Sequence, residues 1–183
     1  MHSVPAKEIS RRIQSFQHLL LENSIDLAVI RQNADLFYLT GTVQDAHLIV
    51  PAQGEPAYLV WRVPERARQE SPIKTQVAIR SLRLLPSILR DLGHLDVSVL
   101  GLEMDVLPAT LYRLYHEDIW PKAQVKDISP IIRFQRRIKS PWEIQRIQEA
   151  CLQVKEALEI VPGILKEGIT ELELSSAIES ELR

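Results

Sequence analysis

IDLAVIR, residues 25–31, is short, rich in β-branched residues and almost continuously apolar. A strand with one wet face alternates apolar and polar residues, so an unbroken apolar run of this length belongs to a strand covered on both faces. Before it, Ile9, Ile13, Phe16 and Leu20 recur at spacings of four, three and four, one stripe of a helix over roughly residues 5–23. A helix followed by a strand buried on both faces predicts an α/β chain.

HLIVPAQGEPAYLVW, residues 47–61, holds two apolar runs around a Pro and Gly turn, which predicts a hairpin and hence an antiparallel pairing within the sheet. The alternation then repeats. VPERARQ reads as helix, TQVAI as strand, SLRLLPSILRDLG as helix, VSVLGLE as strand, LPATLYRLYHE as helix and AQVKDI as a last strand. Pro86 limits its helix to the stretch that follows, because an interior proline removes a hydrogen bond and clashes with the preceding turn. Gly93 suits a helix C-terminus and Pro108 a first helical turn. The predicted fold class is α/β, a mixed β-sheet flanked by helices on both faces.

At Ser140 the alternation gives way to helix alone. Ser140 is placed to accept from a first-turn amide while Glu143 reaches back to the Ser140 amide, and Pro141 takes the first helical position, where no donor is needed. Ile144, Ile147, Cys151, Val154, Leu158 and Val161 follow at alternating spacings of three and four, an apolar seam that needs a partner. Pro162 and Gly163 read as its end. Thr170 with Glu173 forms a second capping box, with Ile169 and Leu174 as a hydrophobic staple. The expected division is an α/β domain over 1–133, a basic linker over 134–139 and, over 140–183, two helices that open a second domain. The alternative is a helical hairpin folded back on the first sheet.

Charge and cysteine content narrow the function classes. Twenty-two basic against 24 acidic side chains leave a net charge of −2, so no global field holds a polyanion, and no nucleic-acid partner is expected. Cys151 is the single cysteine, which rules out an internal disulfide and fits a reducing, cytoplasmic location. The first 25 residues carry charges through an amphipathic pattern rather than a signal-peptide core, and no apolar run approaches a membrane span.

The chain resembles the N-terminal part of the pita-bread metallopeptidases of the Xaa-Pro aminopeptidase and prolidase group, with their creatinase-like N-terminal domain. The resemblance runs over nearly the whole length, through NSIDLAVI, NADLFYLTG, HLIVPAQGEPAYLV, the VLGLE strand, RRIKSPWEIQRIQEA and KEGITELEL, in that order. It implies a parent enzyme that hydrolyses the bond before proline with two divalent metal ions. Manganese, cobalt, zinc or iron would suit its aspartate, histidine and glutamate ligands. All those ligands would lie beyond the helices that KSPWEI and EGITELEL resemble. The resemblance thus implies no metal ligand and no catalytic residue in these 183 residues, a homodimer, and proline-containing peptides as substrates of the whole enzyme. Two other readings share the architecture: a protein-binding module like histone-chaperone subunits that have lost peptidase activity, and a creatinase-type hydrolase.

Independent chemistry is sparse. His2, His18, His47, His94 and His116 are scattered without metal-ligand spacing, and no phosphate loop or serine elbow appears. Glu103, Asp105 and the HED of 116–118 read as solvated carboxylates, Cys151 as a small core hydrophobe, and Arg133, Arg136, Arg137 and Lys139 as a solvated linker. Tyr38 and Leu39 read as anchors to the core, with Gly41 supplying a special backbone conformation. In the resembling peptidases N-terminal domains reach toward the partner subunit's active site, which gives Asp45 and His47, in the loop Thr42 to His47, an expected role in substrate access.

Overall fold

The computed structural model describes residues 3–182, and the chain divides into two compact units, residues 1–137 and 138–183. The first begins with α1 (Ala6–Glu22), β1 (Leu27–Ile30) and α2 (Asn33–Thr40), and continues through the hairpin β2 (Ala46–Pro51) and β3 (Ala57–Val60). It goes on through α3 (Pro64–Glu70), β4 (Thr75–Ala78), α4 (Leu85–Asp91), β5 (Val99–Leu102), α5 (Ala109–Arg113), a π-helical continuation Leu114–Ile119, β6 (Gln124–Asp127) and α6 (Ser129–Arg137).

The six strands form one mixed sheet in the order β4-β3-β2-β1-β5-β6. β2 is antiparallel to β1 and β3, while the β3–β4, β1–β5 and β5–β6 pairs are parallel. Pairing runs Ile30 with Leu48 and Val29 with Leu102, so β1 lies in the middle, as its apolar run demanded. Leu27 and Val29 join Leu85 and Leu89 of α4 and Tyr115 and Ile119 in the core on one face. Alternate residues of the strands face α1, which buries Ile9, Ile13, Phe16 and Leu20 and packs on β2, α2 and α6. At Gly101 a Cβ would lie 2.5 Å from Ile128 Cγ2, so the strand tolerates only hydrogen there.

Two expectations shift in detail. Residues 134–137 are the last turn of α6 rather than linker, because Asp127 holds the helix start, accepting from Ser129 N at 2.9 Å and from its hydroxyl at 2.6 Å, and Ile132 is buried. Pro86 falls in the first turn of α4, which starts only at Leu85, in line with the limit the proline sets. The π-helical turns after α5 carry Tyr115 and Ile119 into the core.

The second unit consists of α7 (Pro141–Glu159), the single turn α8 (Val161–Ile164) and α9 (Glu171–Glu181). Both capping boxes are formed. Ser140 N donates to Glu143 at 2.7 Å and Glu143 N to Ser140 Oγ at 3.1 Å, and Thr170 with Glu173 repeats the pattern at 2.9 and 3.2 Å. Pro162 opens α8 rather than closing α7. Cys151 is exposed, contrary to its reading as a core residue, along with Ile144, Ile147, Val154 and Leu158 of the same seam. With α8 and α9 as its companions, unit two has no sheet to cover this face.

Candidate functional site

β1, β3, β4, β5 and β6 all end, and β2 begins, at one edge of the sheet. The chain builds outward from β1 through β2 to β4, then crosses to the other side of β1 to lay down β5 and β6, so strand order reverses between β1 and β5. In open α/β sheets the crevice beyond the carboxyl ends at such a reversal is where ligands bind, and here the Arg31 and Gln32 amides just ahead of α2 point there.

That crevice is filled from within. Glu103, the residue after β5, is only 1% exposed, and its Oε2 accepts from Arg31 N at 2.5 Å and Gln32 N at 3.0 Å. Burial pushes its carboxyl up to about 7; the two backbone donors oppose the shift, and the neighbouring Asp35 carboxyl reinforces it. Asp35, in the first turn of α2, takes Arg136 Nη1 on Oδ1 at 2.6 Å. Glu103 thus corrects its reading as a solvated surface carboxylate: a residue one step past the buried end of β5 follows the strand inward.

α2 is fastened at both ends. The Tyr38 ring lies under the Arg12 guanidinium, 4.3 Å from its centroid, and Arg136 stands 5.8 Å away. Arg12 Nη1 donates to Tyr38 O at 2.9 Å. Tyr38 and Leu39 are therefore core anchors, as read from the sequence. Gly41 ends the helix at φ +81°, where a Cβ would also crowd Glu70 O at 3.4 Å. The loop beyond is tied down by Thr42 Oγ1, which donates to Glu70 at 2.6 Å, and Arg66 Nε donates to the other oxygen at 2.6 Å. These hydrogen bonds hold the Glu70 carboxyl below the usual range. Val4, Phe37, Gly41, Val43 and Arg66 line a cavity of about 380 Å³ against this loop.

Asp45 and His47 differ in placement. Asp45 is half-exposed and pairs with Arg31 Nη1 at 2.9 Å, and the same guanidinium donates to Ala46 O. His47 lies within β2, only 2% exposed, with Nδ1 2.5 Å from the Tyr115 hydroxyl and the two rings edge to face. Burial first, and the Arg31 charge second, push His47 down to about 3, so its imidazole is neutral at neutral pH. Burial likewise pushes the Tyr115 phenol up. The loop expected to carry both residues therefore delivers Asp45 to the surface and sends His47 into the core.

Of the basic residues, Arg133, Arg137 and Lys139 are exposed, as read, with Arg133 paired to Asp105 at 2.5 Å, while Arg136 departs from that reading, partly buried against Asp35. His18 pairs with Glu22 on the surface of α1, and His2 lies outside the described residues. Among the described residues no group of three or more His, Cys, Asp and Glu side chains is placed to hold a metal ion, so these residues do not fit a dinuclear centre. No helix among them is long and apolar enough to cross a membrane.

An α/β domain whose strand-reversal crevice is closed by its own carboxylate, followed by a separate helical unit, is the class of protein these features define. Residues 12–138 match the Creatinase/Prolidase N-terminal domain, and the chain belongs to that family. It is 24% identical to the Xaa-Pro dipeptidase of Pyrococcus horikoshii over 174 residues, 93% of this chain and 47% of that protein. The solved Xaa-Pro dipeptidase from Bacillus anthracis has the same fold over 96% of this chain and 49% of its own, with a TM-score of 0.83 at 21% identity. A proline dipeptidase structure from Streptococcus pneumoniae aligns with 69% of this chain and 98% of its own, with a TM-score of 0.61 at 24% identity. The chain spans about half the length of the curated relatives it matches.

Proposed function

We propose that this chain serves as the non-catalytic N-terminal domain, with the first helices of the peptidase domain, of an Xaa-Pro dipeptidase or aminopeptidase that hydrolyses the bond before proline. Its two divalent ions, manganese, cobalt, zinc or iron, would be held by a peptidase half outside these 183 residues. The observation that carries this reading is similarity to an Xaa-Pro dipeptidase along 93% of the chain, more than the sheet domain alone. The single cysteine is consistent with work in the cytoplasm.

Within that enzyme the domain forms a homodimer, and the tied-down segment Thr42–Asp45 helps enclose proline-containing peptides at the partner subunit's active site. Asp45 is the contact residue, oriented by Arg31. His47 supports the segment from beneath through Tyr115, since its buried ring has no route to substrate. Asp45→Ala in the whole enzyme is expected to raise KM for short Xaa-Pro peptides several-fold with kcat nearly unchanged; unaltered kinetics would remove the role.

The test of the main reading is the intact mass of the native protein, detected with an antibody against this segment, together with peptidase assays. A native mass far above 21.0 kDa and Xaa-Pro turnover by that longer protein are expected, with no turnover by the 183-residue chain in any of the four metals. A native mass near 21.0 kDa, or turnover by the 183-residue chain that survives repurification, would overturn it.

A further inference from the structure

The Glu103 carboxyl has an unfinished hydrogen-bond account. Oε2 is fully engaged by the Arg31 and Gln32 amides, while Oε1 is buried and meets no donor among the described residues. The group it faces is the Asp35 carboxyl, 6% exposed, which accepts from Arg136. Two carboxylates behind the Arg136 guanidinium leave one buried charge uncompensated, which is strongly unfavourable. A proton on Oε1 removes that charge and supplies the missing donor in one step.

The surrounding groups do not change this assignment. Arg31, just past β1, gives Nη1 to Asp45 and Ala46 O, and its buried Nε meets no acceptor, Glu103 included, among the described residues. From β2, His47 is neutral and turned to Tyr115, and the Tyr115 phenol beyond it holds its proton. From α6, Arg136 is spoken for by Asp35. The Arg31 and Gln32 amides just ahead of α2 favour the charged form of Glu103, but burial and Asp35 together outweigh them.

We propose that Oε1 of Glu103 carries a proton and donates it to Asp35, clamping the first turn of α2 onto the end of β5, and that loss of this proton as pH rises through neutrality loosens α2. Because α2 leads directly through Gly41 into Thr42–Asp45, the clamp also sets the order of that segment. Its effect on peptide enclosure rests on the function proposed above; the clamp does not.

The experiment is a carbon-13 titration of side-chain carboxyls in the 183-residue chain, with amide exchange across α2 and residues 42–45, for wild type, Glu103→Gln and Asp35→Asn. One glutamate carboxyl should titrate near neutrality, vanish in Glu103→Gln and fall toward the ordinary range in Asp35→Asn. Above neutrality, α2 exchange in wild type should outgrow that in Glu103→Gln by up to about tenfold per pH unit, as one proton released per opening requires. The glutamine amide makes the same donation and cannot ionise. Ordinary titration of every glutamate in wild type, or parallel α2 exchange in wild type and Glu103→Gln, would overturn the clamp. Should Glu103→Gln fail to fold, the wild-type and Asp35→Asn titrations decide alone. None of these readouts uses peptidase activity, so a chain without Xaa-Pro turnover tests the earlier reading and leaves this one standing.

Discussion

Two buried groups act on the stability of unit one in opposite directions as pH changes. Glu103 is raised from the ordinary 4.5 to about 7, so its contribution is complete below 4.5 and is lost as pH rises through about 7. His47 is lowered from 6.5 to about 3, so the neutral ring's contribution is complete above 6.5 and is lost as pH falls toward 3. Between 4.5 and 6.5 the folded chain holds one proton at Glu103 that the unfolded chain lacks, and the unfolded chain holds one at His47 that the folded chain lacks. The two slopes cancel there. Glu103→Gln removes one of them. At about 1.4 kcal/mol per pH unit, its stability relative to wild type should climb by about 3 kcal/mol between pH 4.5 and 7. Titrating groups that do not touch Glu103, His94 and Glu70 included, drop out of that difference. Urea unfolding at a series of pH values, followed through the amide signals of β1 and β5 so that unit one alone is read, measures it. A gap that stays constant within about 0.5 kcal/mol from pH 4.5 to 7.5 would refute the assignment of a buried, proton-retaining Glu103.

Gly101→Ala should destabilise unit one by about 1–3 kcal/mol, because the new methyl meets Ile128 and Ile25 in a packed interior, and the entropy gained by replacing glycine offsets under 1 kcal/mol of that. In an Ile128→Ala background the same change should be nearly neutral; equal costs in both backgrounds would mean the strand simply shifts. Ser140→Ala should cost α7 about 1 kcal/mol, seen as faster exchange of its first-turn amides with the sheet unaffected. Unchanged exchange at the Glu143 amide would show that the cap does not hold that helix end.

Local pattern made most elements legible. The period of α1, the unbroken β1, the turn between β2 and β3 and the two capping boxes are set by residues a few positions apart, which a linear reading reaches. What it does not reach is pairing at a distance. That β5 returns to lie beside β1 rather than beyond β4 depends on Leu27–Leu100 and Val29–Leu102 registry, some 73 residues apart. The burial of Glu103 and His47 follows from that same closure. A carboxylate one step beyond a strand and a histidine beside a loop look like surface until the sheet edge is assembled around them. The helical character of residues 134–137 was hidden for a related reason. Four basic side chains suggested solvent, whereas two of them find their partners, Asp35 and Asp105, about 100 and 28 positions away.

Cys151 offers the most direct view of what covers the second unit. It stands exposed among Ile144, Ile147, Val154 and Leu158, which are 46–51% exposed. Burying the remaining half of each aliphatic side chain is worth about 1 kcal/mol, or about 4 kcal/mol for the four. A thiol under such a cover reacts only when the cover lifts, which slows modification on the order of a thousandfold. If the peptidase half of the proposed enzyme lies on this seam, a maleimide should label Cys151 in the 183-residue chain at the rate of a free exposed thiol, and in the longer native protein about a thousand times more slowly. A second copy of the same chain would instead make labelling of the 183-residue chain slow at high protein concentration and fast on dilution. Equal, concentration-independent rates in the short and long proteins would mean that the seam is open in both, and that a binding partner, not the enzyme's own second half, is what this helix face is built to meet.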